Sequence, residues 1–255
     1  MRDWASKMPG LGVITIEYSL APVAKFPTQI QEALDVYLWL TSGSPEVEQE
    51  LGFQPKKIVF SGDSSGGCMM MVLITILNDI RKKDTSAISM MPSALVGLYP
   101  SFTFSSFMYP SMLISAFHWI LPPTIFAVFV EAYIPYITPE GLDANNNSLE
   151  YKDEDSGLAS MAKSLLKKAS WFFSLSGDQR EYIPKPYYDT NDSKSLRYML
   201  DKVTLIRHPY VSPTFYDDFE SLKDIALYLI AIESDPILDH SILLAKNWKG
   251  KDSTD

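Results

Sequence analysis

Only one cysteine, Cys68, stands in 255 residues, so no disulfide can form within the chain and a reducing compartment is the expected setting. Histidine is scarce as well, with three, and neither a metal-ligand cluster nor a nucleotide-binding loop is visible. Basic charge is in deficit. Lys and Arg number 22 against 31 Asp and Glu, a net charge of −9 with a pI near 4.9. Such a balance leaves no footprint for nucleic acid and disfavours electrostatic binding to anionic lipid. The opening Met-Arg-Asp-Trp-Ala-Ser-Lys puts charge where a secretory signal needs an apolar core, which points to a cytoplasmic protein and makes Asn146 and Asn191 ordinary polar loop residues. The most extended absence is local. From Thr85 to Val130 there is no Asp, Glu, Lys or Arg, and the window includes Met112 to Val130, long enough to cross a bilayer. Pro122-Pro123 would break such a helix and no positive flank marks either end, so apolar helices covering a pocket or touching a lipid surface are expected instead.

What the chain does contain is a hydrophobic content of 46%, enough for a real core. Its organising stretch is Ile58 to Cys68. The apolar Ile58 to Phe60 leads into Gly62-Asp63-Ser64-Ser65-Gly66, and the apolar Met69 to Leu77 follows at once. Strand, sharp turn and helix around Gly-x-Ser-x-Gly is the sequence form of a nucleophile elbow. The glycines on both sides of the serine would permit close approach of strand and helix. Ser64 is the candidate nucleophile, and the Ser65 amide at the helix N-terminus is placed to stabilise an oxyanion.

Taken in order, residues 1 to 8 read as a helix tail, and Gly12 to Tyr18 as a strand. Pro27-Thr28 with Gln31 reads as a capping-box start, and Ile30, Leu34, Tyr37 and Leu38 form the apolar stripe of a helix ending near Ser42-Gly43. A buried helix is expected from about Ser65 to Arg81 and a strand from Ala94 to Leu98. Residues 138 to 160 read as polar loop with a charge run at Lys152 to Asp155, and Leu158 to Phe173 as helix, where Ser170 after Lys167-Lys168 resembles a kinase site. Ile225 to Ile232 suits a buried strand. It ends at Asp235, a carboxylate at the carboxyl end of a parallel strand and hence the candidate acid, with the N-cap of the next helix as its structural alternative. Asp239 reads as a first-turn helix carboxylate. Alternating strands and helices give an α/β fold with a doubly wound, mostly parallel sheet.

Three separated segments together resemble the hormone-sensitive lipase family of α/β-hydrolases: Tyr18-Ser-Leu-Ala-Pro22 with Phe26-Pro27, Gly62-Asp-Ser-Ser-Gly-Gly67, and Asp235-Pro-Ile-Leu-Asp239, approached through His208-Pro-Tyr-Val-Ser-Pro213. The resemblance covers about 1–101 and 205–250, and divides the chain into a first part of the core (1–101), a variable, largely helical insert (102–204) and a last part of the core (205–255). It implies hydrolysis of acylglycerols and other lipid esters, in the cytosol or at lipid droplets, without a cofactor. By position it makes Ser64 the nucleophile, Asp235 the acid and the Ser65 N–H one oxyanion donor.

The departures are informative. Val23 replaces the usual Glu after Ala-Pro, and Ser65 the usual Ala. The family's base histidine follows one further strand, whereas past Asp235 the sequence holds only His240. His240 is too near Asp235 along the chain to be oriented by it and still reach Ser64, and is read as a surface residue; His118 and His208 are read as structural. A His-Gly-Gly-Gly oxyanion loop is absent too, as if the sequence lacked both ends of a catalytic domain. Losing one oxyanion donor costs ~10²–10³ in rate and losing the base on the order of 10⁶. A nearly inert chain is expected, with a gap in the sheet beside the elbow strand.

Overall fold

The structure, a computed structural model, describes residues 2–104, 109–115, 118, 120–134 and 205–250. The expectations for 138–160 and 158–173, including Ser170, fall outside them, as do Asn146 and Asn191. The elements in chain order are α1 (Arg2–Lys7), α2 (Thr28–Thr41), α3 (Pro45–Leu51), β1 (Val59–Asp63), α4 (Ser65–Lys83), β2 (Ala94–Leu98), α5 (Pro110–Ile114), α6 (Pro123–Tyr133), β3 (Ala226–Ile230) and α7 (Leu238–Lys249). The strands form a parallel sheet in the order β1-β2-β3, with Phe60, Leu95 and Leu227 side by side and Asp63, Leu98 and Ile230 aligned at the carboxyl ends.

Helix α4 is the spine of the packing. From Cys68 to Leu77 it is almost wholly apolar, so it buries two sides at once. Met71, Leu73, Ile74 and Leu77 join Tyr37 of α2 and Phe60 and Leu95 of the sheet in one cluster. Cys68, Met69 and Val72 join Met112 of α5 and Phe126 and Val130 of α6 in a second. Pro122 and Pro123 end the approach to α6 and start it, so the uncharged window makes two short helices. No helix among the described residues is long and apolar enough to cross a membrane.

Four sequence expectations need correction. Gly12 to Tyr18 is not a strand: it has no regular structure and is largely exposed, because β1 pairs with β2 alone and no hydrogen-bonding neighbour lies along this segment among the described residues. It is tethered instead at Ser19, whose N–H and hydroxyl donate to the Glu32 carboxylate (2.8 and 2.6 Å). Strand β3 is not buried on both faces, since Tyr228 and Ile230 are 59% and 55% exposed. They share their side of the sheet with Val59, also exposed, while the side bearing Phe60 and Leu95 meets α4. A continuous apolar run does not by itself distinguish one covered face from two. Helix α2 starts where expected but without a capping box, because its N-cap position is Pro27, which has neither an N–H nor a side-chain acceptor, and Gln31 donates its side-chain amide to Asp35 (2.7 Å). Leu38 of its expected stripe is exposed, and Ala33 takes the buried position. Finally, His240 is not a surface residue, as described below.

Candidate active site

The elbow is built by close backbone contact. Strand β1 ends at Asp63, Ser64 turns the chain with φ +50°, and α4 begins at Ser65. A positive φ is uncommon for a residue with a Cβ, and marks a conformation held by its surroundings. Gly62 is indispensable here: a Cβ on it would fall 2.4–2.6 Å from the backbone of Gly66 and Gly67. The second required glycine is Gly67, not Gly66. A Cβ on Gly67 would meet Pro100 at 2.6 Å, while one on Gly66 would have nothing within 4 Å. The Gly66-Gly67 doublet carried that information, but a five-residue motif ends one residue short of it.

Both backbone polar groups of Ser64 are paired with the turn after β2. Its N–H donates to the Leu98 carbonyl (3.0 Å), and its carbonyl accepts the Ser101 N–H (3.2 Å). The side chain is left out of this scheme: although Ser64 is the N-cap residue of α4, its hydroxyl makes no cap hydrogen bond. Ser65 is exposed at the first position of a 19-residue helix, where N–H groups have no intrahelical acceptor. Hydroxyl, open amide and positive helix end therefore converge on one rim. Nearby, Cys68 is fully buried, donates weakly to the Val211 carbonyl (3.7 Å), and has its thiol pushed up to about 12 by burial, so it is inert.

Asp235 lies on the same rim, past the end of β3. Strands β1 and β3 flank β2, so the two arms are roughly 10 Å apart across the sheet. Its Oδ1 accepts the Ile237 N–H (3.0 Å), a local turn two residues before the helix, while the N-cap position of α7 is Ile237 itself. Asp235 also lines an open cavity of about 460 Å³ with Ser111, His118, Glu233, Ser234 and Asp239. Asp239 is in the first turn of α7, as expected, and additionally accepts the Ser111 N–H (2.7 Å), tying α7 to α5.

None of the three histidines hydrogen-bonds to Ser64 or Asp235. His118 accepts the Leu121 N–H at Nδ1 (3.1 Å), and His208 accepts the Tyr210 N–H at Nδ1 (3.1 Å). His240 is 0% exposed, its ring set edge-on against Tyr109 (5.3 Å between centroids) and Phe126 (5.9 Å), with neither ring nitrogen hydrogen-bonded. Burial drives its pKa down to about 4, against a smaller upward pull from Asp239, and it stays neutral. Sequence reasoning missed this because the rings covering it come from residues 109 and 126, far away along the chain.

Residues 2–182 match the model of a family described as alpha/beta hydrolase fold. Hormone-sensitive lipase of Mus musculus is 26% identical over 217 residues, which is 80% of this chain and 26% of that protein; its counterpart in Ictidomys tridecemlineatus is 28% identical over 197 residues, 73% of this chain and 24% of that protein. Lipase 2 of Moraxella sp. is 42% identical over a shorter 60 residues, 24% of this chain and 13% of that protein. The chain thus spans about a quarter of the length of the curated hormone-sensitive lipases it matches. Among solved structures, an esterase of Rhizomucor miehei (TM-score 0.55, 17% identity) covers 91% of this chain and 49% of its own. An esterase of Pyrobaculum calidifontis (TM-score 0.53, 20% identity) covers 91% and 50%. Parallel sheet, strand-turn-helix elbow and these matches agree: the chain belongs to the α/β-hydrolase fold family.

Proposed function

We propose that this chain carries the nucleophile and the acid of a serine hydrolase acting on acylglycerols and related lipid esters, with parts 1–101 and 205–255 supplying the catalytic layer and helices α5 and α6 an apolar cover. The observation that carries the reading is Ser64: held at φ +50° by its backbone, with its hydroxyl uncommitted at the head of a long helix. In this mechanism Ser64 Oγ attacks the ester carbonyl, the Ser65 N–H stabilises the oxyanion, and Asp235 orients a base that takes the serine proton. His118 and His208 are bonded elsewhere and His240 is buried among aromatic rings, so turnover by the chain alone is slow, lower by on the order of 10⁶ than with a complete triad.

The natural surface for such a protein is a lipid droplet or membrane in the cytoplasm. Ile114 (84% exposed), Ile120 and Phe129 (59% exposed) are outward apolar side chains in and around α5 and α6, within a stretch free of charge until Glu131. These exposed apolar side chains, with none of the three histidines bonded to Ser64, favour a second reading in which the chain binds lipid without catalysis. Labelling by a fluorophosphonate probe separates the two. Slow label that disappears in Ser64→Ala supports the hydrolase; flotation with a triacylglycerol emulsion and no label even at long exposure supports the binding protein.

A further inference from the structure

Among the described residues, two other than glycine have a positive φ: Ser64 and Tyr99 (+39°). They are neighbours in space, at the ends of adjacent strands. An aromatic residue in this region is an outlier that the surrounding structure must enforce. Here the enforcement is visible. The Tyr99 N–H donates to the carbonyl of Ile230, the last residue of β3 (2.6 Å). The Pro100 ring follows, wedged so closely that added Cβ atoms on Gly67 and Gly97 would meet it at 2.6 and 3.1 Å. Leu98 and Ser101, on either side, bond to the N–H and carbonyl of Ser64. Ser101 itself is buried with its hydroxyl unpaired, so its contribution here is the backbone N–H.

We propose that Tyr99 is a positioning residue for Ser64, its left-handed backbone folding the turn 98–101 into a clamp that locks the elbow to the strand leading to Asp235. The inference rests on the reading of Ser64 as nucleophile for its purpose, but not for its test. A tyrosine at φ +39° reverses the chain so that the Leu98 carbonyl and the Ser101 N–H both face Ser64, while the bond to Ile230 fixes the turn relative to the acid's strand. Glycine at this position would remove the barrier that keeps the turn in one conformation.

The test uses Ser64→Cys, because the one native thiol is buried and silent. The alkylation rate of the introduced thiol by iodoacetamide, followed against pH, reports its alignment with the N-terminus of α4, which lowers a thiol pKa below 8.5. In this background Tyr99→Phe should match the parent. Tyr99→Gly should slow alkylation at neutral pH at least fivefold and move the pH midpoint up by about half a unit or more, with a melting temperature equal to or above the parent's. A Tyr99→Gly profile superimposable on that of Tyr99→Phe overturns the proposal, as does a rate loss accompanied by an equal loss in a remote, purely destabilising variant such as Asp79→Ala. Should Tyr99→Gly fail to fold, Tyr99→Asn, which tolerates positive φ, is read by the same criteria. Fluorophosphonate labelling of the unaltered chain is run alongside: its absence counts against the hydrolase reading alone, since the thiol measurement does not depend on a base.

Discussion

The two ends of α4 solve opposite problems. At its N-terminus the contacts are made by backbone and glycine, and the Ser64 side chain is left uncommitted. At its C-terminus the polar side chains are tied together. Asn78 donates to the Tyr216 hydroxyl (2.7 Å) and to Ser221 (2.6 Å). Asp79 accepts from Tyr210 (2.9 Å) and Tyr216 (2.8 Å), and Lys82 pairs with Asp218 and donates to Tyr216 (3.2 Å). Burial alone would lower the Lys82 ammonium, but its bonds to Asp218 and Tyr216 push it up, while Lys82 in turn holds the Asp218 carboxyl down. The difference teaches how one helix can be anchored and reactive. Side-chain pairing fixes the far end to residues 210–221, so the near end can leave a hydroxyl and an amide unpaired.

Substitutions can break this contrast, and the glycine end should be the more brittle. Gly62→Ala drives a methyl group into the backbone of Gly66 and Gly67 with no flexible side chain to give way. A loss of more than about 3 kcal/mol, or failure to fold, is expected in urea denaturation. A loss under 1 kcal/mol would show that the elbow is looser than its contacts imply.

His240 extends the comparison to a polar group that is buried and unpaired. Its folded pKa of about 4 lies below the unfolded value of 6.5, so the unfolded chain binds the extra proton first. Stability is unaffected above pH 6.5 and falls as pH drops from there toward 4, by on the order of 3 kcal/mol. His240→Leu should flatten that part of the stability profile and raise stability at pH 5; an unchanged slope would point to carboxylates instead.

At the side-chain end the expected effect is moderate. Asp79→Ala removes the acceptor of two phenols and should cost about 1–3 kcal/mol, spread through the 210–221 anchor rather than at Ser64. Smallest and of opposite sign is Gly66→Ala. With open space around it, it should stabilise α4 by about 0.5–1 kcal/mol, sharpening the distinction between Gly66 and its two demanding neighbours.

How much of this was legible in the sequence follows from how local each feature is. The elbow, α4 and β2 were readable because strand, turn and helix are contiguous, and the place of β3 before Asp235 because its apolar run is local too. Gly12 to Tyr18 has the composition of a strand, but pairing requires a neighbour that composition cannot supply. The requirement for Gly67 depends on Pro100, and the burial of His240 on Tyr109 and Phe126. Each is a contact between distant residues, and single-sequence periodicity carries no term for it.

The pairing of β2 with β3 has a further consequence, for folding and for how the chain can vary. Strands β1 and β2 are joined by α4 within residues 59–98 and can assemble as a local unit, whereas β3 must return after residues 99–225 have been looped out. Closing so long a loop makes the docking of β3 the late step in a refolding experiment. Its cost grows only logarithmically, by about 0.6 kcal/mol for each doubling of length. Outside the packed α5, α6 and 210–221, the intervening stretch can therefore lengthen or shorten while the hydrogen bond from Tyr99 to Ile230 still holds β3 against β2.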